Sequence, residues 1–226
     1  MKQLAILFFI TFSLFSCKEN KEEAQAVLSE SNGKINNVSI IIDDNLWNGE
    51  IGDSIRKKFA APVDGLPQEE PLFTLNQYPT KVFEGFVRKS RNIIIVKKDT
   101  KTGFSSNNNV YAKPQNVFLV SGKTTEDVLK VLEEKSAEII KTVKSAEIIE
   151  NQLRMKKSLV SDDKVQKMFG VSLEIGFGFK YDMVKDNFIW LRKEFSSGYN
   201  SILIYQVPIE KVEKDDYIKV NAPSFI

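Results

Sequence analysis

Apolar residues along this chain recur at two different spacings, and polar stretches separate the regions where each spacing holds. Leu4 to Phe15 form an apolar run with no period at all. After it, "KENKEEAQAVLSESNGKINN" is polar and charged, with too little apolar surface to fold, and reads as a tether. Order is expected from "NVSIIID", where Val38, Ile40 and Ile42 alternate with Ser39, Ile41 and Asp43 in a β-branched strand buried on at least one face. Leu46, Ile51, Ile55 and Phe59 then recur at helical spacing behind Asp44 or Asn45 as a cap, weakened at Gly49 and Gly52 and closed by Pro62. Pro62, Pro67, Pro71 and Pro79 predict a rigid loop of about twenty residues. A short helix around Thr80 to Lys89 leads to the strand "NIIIVKK". The polar turn Asn107-Asn108-Asn109 suggests a hairpin into a further strand, "QNVFLVSG". This order of elements is that of a split-βαβ α+β sandwich.

A long helix is expected from Thr124, with Asp127 completing a capping box. Within it "KSAEII" occurs at 135–140 and again at 144–149. Nine residues turn a helix by about 900°, so the two Ile pairs point to opposite sides. The helix must bend near Thr142, be covered on both sides, or offer one pair to another element; a helix bridging two halves is expected. "SDDKVQKMFG" then reads as a short helix ending at Gly170. "VSLEI", "FGFKYDM", "NFIWLRKE" and "SILIYQVP", with turns at Asp186-Asn187 and Ser197-Gly198, predict an antiparallel meander with one face on the long helix. The fold class is therefore α+β in two lobes: an N-terminal split-βαβ-like α/β sandwich over 37–122, a bridging helix over 123–160 and a C-terminal antiparallel β lobe over 161–226.

Composition adds an address. The chain has 226 residues, one cysteine and no histidine. The lone Cys17 ends the apolar run, and Leu14-Phe15-Ser16-Cys17 looks like a bacterial lipobox, L-x-[AGS]-C. Residues 1–16 are then a signal peptide, and 17–36 the lipidated N-terminus and flexible tether. The apolar run is short for a hydrocarbon core of about 30 Å. A cleaved secretory peptide with a chance cysteine, or an uncleaved anchor helix, are the alternatives. Two or three acyl chains on Cys17 would hold the protein at a membrane, its expected partner. The charged Lys18–Glu23 resembles the signals that follow the lipid cysteine in surface-exposed lipoproteins of Bacteroidota; an ordinary solvated linker reads equally well. The outer membrane is expected, with its face undecided. Net charge is +2 with the signs well mixed, so nucleic acid is not an expected partner.

Without imidazole or a second thiol, the chain lacks a Ser-His-Asp triad, a Cys-His pair and the usual zinc ligand sets. It carries no G-x-G-x-x-G or P-loop motif, and no cofactor or metal site is read from it. The best chemical cluster is Asp43, Asp44, Glu50 and Asp53 around Trp47, where a strand gives way to a helix. Carboxylates beside an aromatic could work on sugars or hold a hard cation. The stronger reading of the same residues is structural: Asp43 or Asp44 caps the helix, Glu50 and Asp53 complement its dipole, and Trp47 packs. Arg88, Lys89 and Arg91 read as a solvated basic helix end, and Trp190 as core. Two functions stay open: a non-catalytic envelope module that binds a protein or glycan, and a carboxylate-dependent glycan or cell-wall hydrolase using the Asp43–Asp53 region.

"DDNLWNGEIGDSIRKKFAAPVDGLPQEEPLF", "RNIIIV", "YAKPQN", "FGVSLEI" and "DNFIWLRKE" together resemble the Bacteroidota lipoproteins classed as domain of unknown function 4837, over roughly residues 36 to 207. The resemblance implies a lipid-anchored cell-envelope protein and brings no activity or site residue with it. Family chains usually run on further, so a truncated second lobe is expected.

Overall fold

The computed structural model describes residues 28–66, 69–196 and 198–208; Cys17 and the apolar run before it lie outside the described residues. Five strands form the first sheet: β1 (Asn37–Ile41), β2 (Thr74–Tyr78), β3 (Asn92–Lys98), β4 (Gly103–Asn108) and β5 (Asn116–Gly122). Their order is β2-β1-β3-β5-β4. β2, β1, β3 and β5 run parallel, and β4 pairs antiparallel with β5 at the edge. Parallel strands covered on both faces read as continuous apolar runs, and that is why "IIID" and "NIIIV" lack a clean alternation.

On one face Val38, Ile40, Ile42, Ile94, Val96, Phe118 and Val120 form a core with Ile51, Ile55 and Phe59 of α2 (Glu50–Phe59). A one-turn helix, α1 (Asp44–Trp47), precedes α2. The opposite face, at Ile41, Ile93, Ile95 and Val117, is covered by Tyr78, Phe83, Val87 and Tyr111 from a strand end, loops and the short helix α3 (Gly85–Arg88). The proline-rich stretch expected as a loop holds β2, an edge strand that stops at Pro79, where a missing N–H does no harm. β2 and β3 flank β1, and their connection is the split unit that the order of elements predicted. Asn107 and Asn108 belong to β4, and the hairpin they announce joins β4 to β5.

The long helix α4 (Thr125–Lys156) runs unbroken for 32 residues behind a capping box of Thr124 and Asp127. The repeat resolves by exchange. Ile139 is buried in the core, whereas Ile148 and Ile149 are 56% and 57% exposed. In their place Glu147 turns inward and is 1% exposed, while its counterpart Glu138 lies on the surface. Glu147 receives Arg91, itself 2% exposed, through Nε at 2.6 Å and Nη2 at 3.1 Å. It also accepts from Asn92 Nδ2 at 2.6 Å and from the Asn36 backbone N–H at 2.7 Å. Arg91 is therefore no solvated helix end; burial without a partner would be prohibitive, and Glu147 is that partner.

The tether, expected to run to residue 36, is shorter. From Ser29 the backbone is pinned to the loop before β5, with Lys113 N–H donating to Ser29 O at 2.9 Å and Ser31 N–H to Lys113 O at 3.1 Å. Asn32 pairs with Lys89 and Arg91 in the same way, and Arg91 Nη2 donates to Lys34 O at 3.0 Å.

The second lobe adds β6 (Leu159–Val160), α5 (Asp163–Phe169), β7 (Ile175–Gly176) and the meander β8 (Lys180–Lys185), β9 (Phe188–Phe195) and β10 (Gly198–Tyr205). Its core joins Ile189, Leu191, Ile202 and Ile204 of the sheet to Val165, Met168 and Phe169 of α5. The meander thus takes its cover from α5 rather than from the long helix, whose buried residues up to Val143 are committed to the first sheet. Trp190 alternates with Ile189 and Leu191 and so faces away from this core, half-buried, with Nε1 donating to Ser201 Oγ at 3.0 Å. Asp162 ties α5 to the following loop by accepting from Leu173 N–H and Ser172 Oγ, both at 2.8 Å. The Leu173 amide, then Ser172 and Gln166, hold its carboxyl below the ordinary aspartate range.

Arg91→Ala and Glu147→Ala should each destabilise the chain by about 3–5 kcal/mol, because each strands a buried charge. Glu138→Ala, at the matching place in the repeat, should stay within about 0.5 kcal/mol; urea midpoints measure all three. A depressed carboxylate stabilises fully above its unfolded pKa and loses that contribution as pH falls through the folded value. Asp162→Asn should therefore flatten the fall in urea midpoint below about pH 4.

Candidate functional site

The sequence-chosen cluster lies at the carboxyl end of β1. There the chain leaves on one side towards β2, while β3 sends it the other way towards β5. Such a switch point is where open α/β sheets bind ligands. Asp43 and Asp44 are there because β1 ends at Ile41 and α1 begins at Asp44.

The side chains are occupied with local structure. Asp43 Oδ1 accepts from the Thr80 N–H at 3.2 Å, tying β1 to the segment after β2. Asp44 Oδ1 accepts from Gln77 Nε2 at 3.0 Å, and the same amide donates to Ile42 O at 3.1 Å. Asp53 pairs with Arg56 at 2.7 Å, and the Arg56 guanidinium lies 4.5 Å above the Trp47 ring. Glu50 stands in the first turn of α2, where a carboxylate complements the helix dipole. It lines a groove of about 320 Å³ with Asn45, Leu46, Gly49, Ile51, Thr125 and Glu126.

Of the four proposed carboxylates, the groove gathers Glu50; its acidic companion is Glu126, which sequence reasoning did not single out. The backbone amide of Glu126 and the Thr124 side chain hold its carboxyl below the usual range. A general acid for glycoside cleavage needs the opposite shift. Among the described residues no group of three or more His, Cys, Asp and Glu is placed to hold a metal ion.

A second groove, of about 270 Å³, opens at the amino end of the sheet. Ile149 and Leu153 of α4 and Pro114 line it, above a floor that includes Arg91, Gln115 and Asn116. Gln115 is saturated, accepting from Tyr111 N–H and donating to the Arg88 and Ser90 carbonyls. The signal for this groove was the second "KSAEII", whose Ile pair had no place in the core.

The fold so defined is a mostly parallel, doubly covered sheet joined to a small antiparallel meander. The chain belongs to the family described as Domain of unknown function (DUF8532), whose model matches residues 31–156, more than half of it. Domain of unknown function (DUF4837) matches residues 158–222. The expected resemblance is thus shown for the second lobe, and the other family covers the first. No curated protein and no solved structure matches the chain.

The geometry of the cluster depends on Gly52, where an added Cβ would stand 1.8 Å from the Trp47 carbonyl oxygen. Gly52→Ala should push α1 off α2 and destabilise the chain by about 1–3 kcal/mol, seen as a lowered urea midpoint.

Proposed function

We propose that this chain is a lipid-anchored, non-catalytic module of a bacterial cell envelope. Acyl chains on Cys17 hold it in the membrane, the outer membrane by preference, and the folded part binds an envelope protein or glycan or serves a structural role. The observation that carries the non-catalytic reading is the engagement of the carboxylates: Asp43, Asp44 and Asp53 each hold a backbone amide, side-chain amide or guanidinium of their own chain. The carboxyl of Glu126, the other acid beside Glu50, is held below the ordinary glutamate range, opposite to what a general acid needs. The lipobox at Leu14–Cys17 supports the anchor.

Cys17→Ser in cells should leave the protein unprocessed or soluble; a variant that matures and fractionates like wild type removes the anchor. Asp44→Asn combined with Glu50→Gln should leave the pattern of in-cell crosslinks unchanged. Turnover of a purified cell-wall glycan by wild type, abolished by that double substitution, would replace the binding module with a hydrolase.

A further inference from the structure

We infer that the amino end of the first sheet is a membrane-docking face, seated on the surface of the bilayer that holds Cys17; this rests on the lipid-anchor reading. The loops entering β1, β3 and β5 and the C-terminal part of α4 all meet at this end, because α4 returns antiparallel to β5. Exposed apolar side chains gather there. Phe86 is 70% exposed and its carbonyl accepts from Asn32 Nδ2 at 3.0 Å, which places it beside the segment that follows the tether. Leu28 opens that segment, Val110 lies in the loop that flanks it, and Ile149 and Leu153 line the neighbouring groove. Leu153 is 53% exposed.

Lysines outnumber carboxylates around these residues, where Glu30 is exposed beside Lys113. Lys34, Lys89 and Lys113 are exposed on, or hydrogen-bonded through their backbones to, residues 29–34, and none has an acidic partner at ion-pair distance among the described residues. Exposed aliphatic and aromatic tips amid lysines suit an interface of acyl chains and anionic headgroups.

Tether length selects the bilayer as the occupant. Ten residues, 18–27, separate Cys17 from Leu28. They reach about 35 Å at most. The face from which Leu28 emerges is therefore held near the headgroups at high local concentration. Docked this way, α4 carries the Asp43 end away from the bilayer, since residues 126 and 147 are about 30 Å apart along the helix.

Acylation consumes the native thiol, so single cysteines can be labelled with an environment-sensitive nitrobenzoxadiazole dye. Full-length lipidated protein carrying Phe86→Cys, Leu153→Cys or Asn45→Cys is reconstituted into phosphatidylethanolamine–phosphatidylglycerol vesicles. Dyes at 86 and 153 should shift to the blue and be quenched by spin-labelled lipid, whereas the dye at 45 should stay water-like. Lys34→Glu, Lys89→Glu and Lys113→Glu together should abolish the shift while the protein remains on the vesicles. Water-like dyes at 86 and 153 on a lipidated, vesicle-bound protein overturn the docking face and leave the anchor standing. A shift already present in the Cys17→Ser chain without vesicles means that the tether or a second copy fills the face, and overturns it too. Lack of acyl mass on the Cys17 peptide overturns both readings.

Discussion

The buried pair of Arg91 and Glu147 is the constraint on which the first lobe depends. Two charges taken out of water are tolerable only when every donor and acceptor is met. Here the partners come from three separated parts of the chain: the entry to β1 at Gly33–Asn36, the entry to β3 at Arg91–Asn92, and α4. The knot therefore fixes one arrangement. Sliding α4 by a turn would move Glu147 by about 5.4 Å and strand both charges, whereas the apolar contacts of Val131 or Ile139 could adapt to a neighbouring site. Glu150 extends the knot to the surface, meeting Arg91 at 3.7 Å and Arg154 at 2.6 Å.

That arrangement gives the sheet two unlike ends. At the carboxyl end, acidic side chains are spent on capping, dipole compensation and holding β1 to its neighbours. At the amino end, the charges within the knot neutralise one another, and three exposed lysines, one exposed carboxylate (Glu30) and apolar tips remain outside it. The same helix makes both ends: its first turn brings Thr125 and Glu126 to the carboxyl groove, and its last turns carry Ile149 and Leu153 to the amino groove.

Much of this was legible in the residues. The strands β1, β3 and β5, the capping box at Thr124, the αL glycine at Gly170 and the two-lobe α+β division all follow from period and punctuation. The failures have common causes. β2 was hidden because "TLNQY" is an edge strand with little apolar signal and prolines on both sides. Arg91 read as surface because a charge alone does not announce its partner, which lies 56 residues away. Trp190 read as core because strand alternation settles which residues share a face but leaves open which face is inside. For the candidate site, its place at the end of β1 was readable. The partners that occupy Asp43 and Asp44, the Thr80 N–H and the Gln77 side-chain amide, come from the neighbouring strand β2 and the segment after it and were not.

The repeat that first looked like a bridge between lobes proves to be a boundary. The first family match ends at residue 156, which is also the last residue of α4, and the second begins at 158. All the buried side chains of α4 belong to residues Val128 through Glu147. It meets the second lobe at its end, where Met155 packs against Gly176 and Lys156 meets Glu174 at 3.0 Å. α4 is thus the closing element of the first lobe rather than a shared core. The second lobe has its own helix α5 and its own, smaller apolar core around Val165, Ile175, Ile189 and Leu191. The nine-residue offset from one copy of "KSAEII" to the next is what makes this division. Half a turn out of phase, the second Ile pair is released from the core at the point where Glu147 closes it.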